Sequence, residues 1–338
     1  MNNYPNFSSP TKRIKRLYFI GVLFVICAAA AGLLLGSTLL SPATLLDALS
    51  DGFESSTATR IFGYVRLPRT AAALLCGGAL AVAGAVIQGV LANRLASPSI
   101  VGVNAGAGLA VTLCTALGLY GGWQVSAFSF LGAFGAVLLV AFGARKWGTS
   151  RGTVILIGVA MNSLLGALTD TVTTFLPEVG VMSNDFRIGE FSAVTYQRLI
   201  PAAILIPLAV LIILSLRNEL NILTLGGDTA KGLGLNPNRM SALFLILAAL
   251  LAGCAVSLAG LLSFVGLIVP HAIRRLAGGN TSHLPALCAL YGAGFVCLCD
   301  TLARTVFSPY EIPVGIIMAF LGAPFFIFIL IRGGKSHA

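Results

Sequence analysis

A handful of ionisable and amide side chains interrupt long apolar runs in this sequence, and their spacing limits the chemistry it can perform. Asp300 and Arg304 lie at i and i+4, the helical separation at which a carboxylate and a guanidinium pair. Arg66 and Arg69 flank Leu67-Pro68, a rigid dipeptide able to open a helix and hold two guanidiniums in fixed relation at an outer surface. Such a pair suits carboxylate recognition; the alternative is that both snorkel to lipid headgroups. Gln88 and Asn162 are amides within apolar stretches, where an amide must bond across a helix interface or line a wet path. Asn162 and Thr169 share a helix face, with Asp170 turned about a third of a turn away. His271 follows Pro270, which breaks the helical hydrogen-bond ladder, and precedes Arg274 and Arg275. It is either a satisfied structural residue or a proton carrier.

Other chemistry is missing. Gly227 and Gly232 have phosphate-loop spacing, but Leu233 occupies the lysine position. Gly334-Lys335-Ser336 lacks the upstream glycine, which would fall at Ile329. The glycine-rich run Gly102 to Gly108 follows no predicted strand and opens an apolar span, so it reads as close helix packing. The seven cysteines fall inside predicted spans at no metal-ligand spacing, and no nucleophile stands with its base. The chain is therefore expected not to be an enzyme and to hold no cofactor or metal. Energy for uphill transport would come from an ion gradient or a partner ATPase.

The elements that position these residues follow from composition. Hydrophobic residues fill 57% of 338 positions and charged residues 9%, with mean hydropathy +0.95, which excludes a soluble domain. The pattern predicts an all-α polytopic membrane protein with ten spans near 17–40, 69–92, 97–118, 124–144, 152–176, 197–216, 240–259, 261–276, 284–304 and 313–331. The +10 net charge is a topology signal and not a nucleic-acid one. With the N-terminus inside, the cytoplasmic segments hold 15 of 21 basic residues and, of 11 acidic ones, only Glu219 and Asp228, a balance of +13 against −3 elsewhere. Both termini are then cytoplasmic, with a tail over 1–16, the membrane domain over 17–331 and a second tail over 332–338.

The longest polar interruption of the second half is 217–239. Within it Thr229 to Leu233 can form a short helix, Asp228 is placed to cap it, and Gly234 and Pro237 end it. It reads either as a surface offered to a soluble partner or as a solvated loop. The second span carries Gly77, Ala81, Ala85 and Gly89, a small-residue stripe for close helix approach.

Five motifs in order then resemble the FecCD-type permease family of ABC importers for iron-siderophores, haem and vitamin B12. They are Arg66-Leu67-Pro68-Arg69; Gly84 and Gln88 through Asn93, Ala96 and Pro98; Leu225-Gly226 through Ala230, Leu233 and Gly234; Phe264-Val265-Gly266-Leu267 with Pro270-His271; and Ile312-Pro313-Val314-Gly315 with Gly322-Ala323-Pro324. They cover about 60–330. Arg94 departs from the pattern, standing where the family usually has proline.

The resemblance implies a type II importer permease that pairs with a second permease subunit around a central path, takes substrate from an external binding protein, and couples to two cytoplasmic ATPase subunits that bind ATP and Mg. It implies that Arg66, Arg69 and Arg304 receive acidic residues of the binding protein. Gly227, Asp228, Ala230, Leu233 and Gly234 would lie in the coupling segment, and Gln88, Asn104 and Asn162 would face the path. An iron(III)-siderophore is the expected substrate, with vitamin B12 or haem as alternatives. An ion-coupled secondary transporter is the reading from another class, for which only Asp170 and Asp300 could form a carboxylate relay.

Overall fold

A computed structural model describes residues 10–36, 52–147, 151–278 and 282–334, with isolated positions between 40 and 50. The expected tails fall largely outside these residues. Where the first is described, helix has already begun at Pro10.

Among the described residues, ten long helices stand where the apolar runs predicted them, and two short ones fill the polar interruption. They are α1 (Pro10–Leu34), α2 (Leu67–Leu91), α3 (Val103–Ala116), α4 (Gly122–Trp147), α5 (Arg151–Phe175), α6 (Tyr196–Ser215), α7 (Arg217–Thr224), α8 (Gly227–Gly232), α9 (Pro237–Ala259), α10 (Val265–Ala277), α11 (Leu284–Thr305) and α12 (Val314–Gly334). Seven described helices are long and apolar enough to cross a membrane. Two predicted spans are shorter, α3 with 14 residues and α10 with 13, while α12 runs 21 residues and is apolar over Val314–Ile327. A helix of 13 or 14 residues is about 20 Å long, less than the roughly 30 Å hydrocarbon core. Irregular backbone completes these passages. Gly102 (φ 93°) follows a 3-10 turn before α3, and Gly260 (φ 69°) and Phe264 (φ 66°) precede α10.

Two prolines open the hydrogen-bond ladder of their helices without ending them. Pro270 sits inside a continuous α10 and Pro324 inside a continuous α12. Pro68 likewise does not begin its rod, because Thr57–Arg60 and a π-helical stretch, Ile61–Arg66, run into α2 without interruption. The π register closes immediately before the proline, where Leu67 N–H bonds to Phe62 O.

The core is built around α2. Of its most apolar window 83% is buried, against 17% for α1 and for α5. It packs against α1, α6, α7, α9, α10 and α11. The small-residue stripe explains how so many helices fit. A Cβ on Gly77 would overlap the carbonyl of Gly292 in α11, and one on Gly292 would meet Ala81 Cβ at 2.5 Å. Gly106 and Gly132 bring α3 onto α4 in the same way, as the glycine-rich run predicted.

Candidate functional site

At the end of the molecule where α1 finishes and α2 begins, five charged side chains converge. Asp300, on α11, is 1% exposed and accepts from Arg69 Nη2 (3.0 Å) and Nε (3.1 Å), while its other oxygen lies 3.1 Å from Arg304 Nε. The i, i+4 pair is therefore present, with Arg69 as a further partner. Glu311, just before α12, reaches Arg69 Nη1 at 2.7 Å and is 37% exposed, so it marks the open edge of the cluster. Arg66 Nη1 donates to Leu33 O (3.0 Å) and Leu34 O (2.6 Å), and Arg304 Nη2 to Gly32 O (3.0 Å). Two guanidiniums thus satisfy the last carbonyls of α1, which has no basic residue in its own final turn.

This corrects the outward placement expected for these arginines. Arg66, Arg69 and Arg304 are 3%, 6% and 3% exposed, because buried charge is tolerated only when paired and hydrogen-bonded, and this chain supplies the pairs itself. Among the described residues, Asp300 and Glu311 supply the carboxylates of this cluster, and Arg69 contacts both.

At the opposite end lies the polar interruption. Helix α7 seats Leu220 and Leu223, both buried, with Leu220 Cδ1 3.1 Å from where a Cβ on Gly89 of α2 would stand. Asn221 Nδ2 donates to Ser282 Oγ at 2.9 Å, tying α7 to the approach to α11. Helix α8 is anchored by Ala230, 0% exposed, and ends on Gly234 at φ 82°, followed by Pro237 at the start of α9, as the sequence predicted. Asp228 does not cap it. Gly226 (φ 114°) is the N-cap, so helix starts two residues early and places Asp228 in the first turn, fully exposed and 3.8 Å from Lys231. Leu225 and Leu233, flanking α8, are 64% and 60% exposed. Gly227 and Gly232 are exposed between them.

Of the three amides expected on a path, Gln88 is buried and clamps two helices. Its Nε2 donates to Gly266 O at 2.9 Å and its Oε1 accepts from Arg274 Nη1. Gly266 lies four residues before Pro270, so the proline's missing N–H leaves that carbonyl without its helical donor and Gln88 supplies one. Asn162 is half-buried and donates to Ser99 O at 2.8 Å, the interhelix alternative. Asn104 is half-buried on α3. His271 meets Phe325 edge-on, with ring centroids 6.5 Å apart.

The FecCD transport family profile matches residues 22–332. The chain belongs to that family. Among relatives of this FecCD chain, the ferric enterobactin transport system permease protein FepD of Escherichia coli is 35% identical, over 94% of this chain and 95% of that protein. The hemin transport system permease protein HmuU of Yersinia pestis is 32% identical, over 95% and 97%. A solved metal-chelate type ABC transporter in an inward-facing conformation superposes with a TM-score of 0.82 at 30% identity, covering 94% of this chain and 99% of that one. The FecCD chain is accordingly a multi-pass membrane permease subunit of an ABC transporter, and such subunits are not themselves enzymes. Membership of an ABC importer permease family implies an ATPase and a binding protein as partners.

Proposed function

We propose that this FecCD chain is the permease subunit of an ATP-driven importer of iron(III)-siderophores, with both termini in the cytoplasm. It pairs with a second permease subunit and rests on two ATPase subunits that hold ATP and Mg. The observation that carries the reading is α8. Ala230 and the neighbouring Leu220 and Leu223 fix it to the spans, while Leu225 and Leu233 face outward from a segment on the positively charged side. A solvated loop has no need of two exposed leucines around a buried anchor, whereas a partner's groove does.

The second permease is supported by α5, a span-length helix that leaves Asp170, Thr171 and Thr174 exposed in the single chain. Thr171 and Thr174 donate to carbonyls of their own helix, but the Asp170 carboxylate requires a protein or aqueous neighbour and not lipid. The binding protein is supported by the open edge of the outer cluster, where the partly exposed Glu311 covers Arg69, and the ferric chelate by the relatives described above.

The test is reconstitution of the permease with its ATPase in proteoliposomes, supplied with binding protein and a ferric siderophore, haem or cobalamin. ATP-dependent uptake of the ferric siderophore that requires the binding protein is expected. Uptake driven by an ion gradient without the ATPase would overturn the mechanism, and preference for haem or cobalamin would overturn the substrate.

A further inference from the structure

A cleft of about 810 Å³ opens beside α8, between the ends of α2, α4, α5, α7 and α9. Its size is that of a ligand site, commonly about 300–1,000 Å³. The floor is apolar and belongs to the spans: Val90, Val154, Leu223 and Leu245 are each less than a tenth exposed. The rim carries Lys231 and Arg239 with the amides Asn236 and Asn238, and no acidic residue is among the described lining. Lys231 has only a 3.8 Å contact with the fully exposed Asp228, which lies outside the cleft. The first turn of α9 adds the positive end of a helix, opened by Asn236 and Pro237.

We infer that this cleft binds an acidic phospholipid of the cytoplasmic leaflet, phosphate at the Lys231–Arg239 rim and acyl chain along the floor. Charge complementarity selects an anion, and an apolar floor built from membrane spans selects one that carries a hydrocarbon tail. Because Gly227 and Lys231 of α8 form one wall, an occupied cleft braces the segment between α7 and α9 from below. The leaflet, and nothing else, is taken from the orientation proposed above, and binding measured in detergent does not depend on it.

The experiment uses the purified full-length chain in detergent, mixed with phosphatidylglycerol or phosphatidylcholine of equal acyl length and examined by native mass spectrometry. Preferential retention of phosphatidylglycerol is expected. Lys231→Ala with Arg239→Ala should reduce it on the order of tenfold. Arg217→Ala with Arg275→Ala, basic residues outside the cleft, should leave it unchanged. Ala242→Trp, which narrows the cleft but keeps its charge, should also reduce it. Equal retention of the two lipids, or equal loss in the control pair, would overturn the inference. So would displacement by soluble glycerol phosphate as readily as by lipid, which marks a free-anion site, or occupancy only when the ATPase is bound.

Discussion

Arg69 and Asp300, 231 residues apart, meet through both Nε and Nη2 of the guanidinium, and neither side chain is more than 8% exposed. Asp300 is also held by Arg304, so a single carboxylate carries two buried positive charges. Asp300→Ala should therefore lower stability by about 3–5 kcal/mol, the usual effect of stranding a buried charge. The check is the thermal midpoint of the purified permease in detergent. A midpoint equal to wild type would show that the cluster is not what joins α2 to α11.

Glu311 is the exchangeable member of the cluster, because it has one short contact and a partly exposed carboxylate. Glu311→Gln should strengthen binding-protein docking about two- to fivefold at low salt, the range of an exposed ion pair, and the gain should fade as salt is raised. Titration of binding protein onto permease nanodiscs measures this. Weaker docking in the variant would place the acidic contact of the partner elsewhere. Reversing Arg66 or Arg69 is a poorer test, since it would also strip α1 or Asp300 of its partner.

Exposure of Leu233 and the absent cap change what α8 variants should do. Leu233→Asp should abolish copurification of the tagged ATPase while membrane insertion persists. Asp228→Ala should leave copurification unchanged, because its carboxylate caps nothing. Full ATPase recovery with Leu233→Asp would eliminate α8 as the docking knob.

Gln88→Leu leaves both Gly266 O and Arg274 without their observed partner, an expected loss of about 1–3 kcal/mol. Substrate preference should not change in the variant that folds. Altered preference among ferric chelates, measured by uptake competition, would return Gln88 to the path.

A cysteine at Asn238, introduced with exposed Cys27 replaced by alanine, should react with membrane-impermeant reagent only from the cytoplasmic side. Labelling in intact cells from outside would invert the orientation.

Features encoded within one turn or one periodic run were legible in the sequence. The ten apolar runs, the stop at Gly234 and Pro237, the Asp300–Arg304 spacing and the Gly77 stripe all act through neighbours three or four residues away. Long-range partners were not legible. The acceptors of Arg66 lie 32 and 33 residues earlier, and Gln88 serves a carbonyl 178 residues away, so no local pattern announces either. One signal was available: α1 ends without a basic residue of its own, so its final carbonyls had to be satisfied by something remote. The Asp228 cap failed for a local reason, since Gly226 at φ 114° turns the chain two residues earlier than a side-chain cap at Asp228 would.

The contact of Gly77 with Gly292 constrains how this sequence can drift. A side chain added at either position meets main chain across the interface, and main chain cannot be exchanged for something smaller. Compensating substitution, by which most packed pairs change together over time, has no route here. Both positions must stay bare, and divergence between subunits that move different cargo has to accumulate on other surfaces.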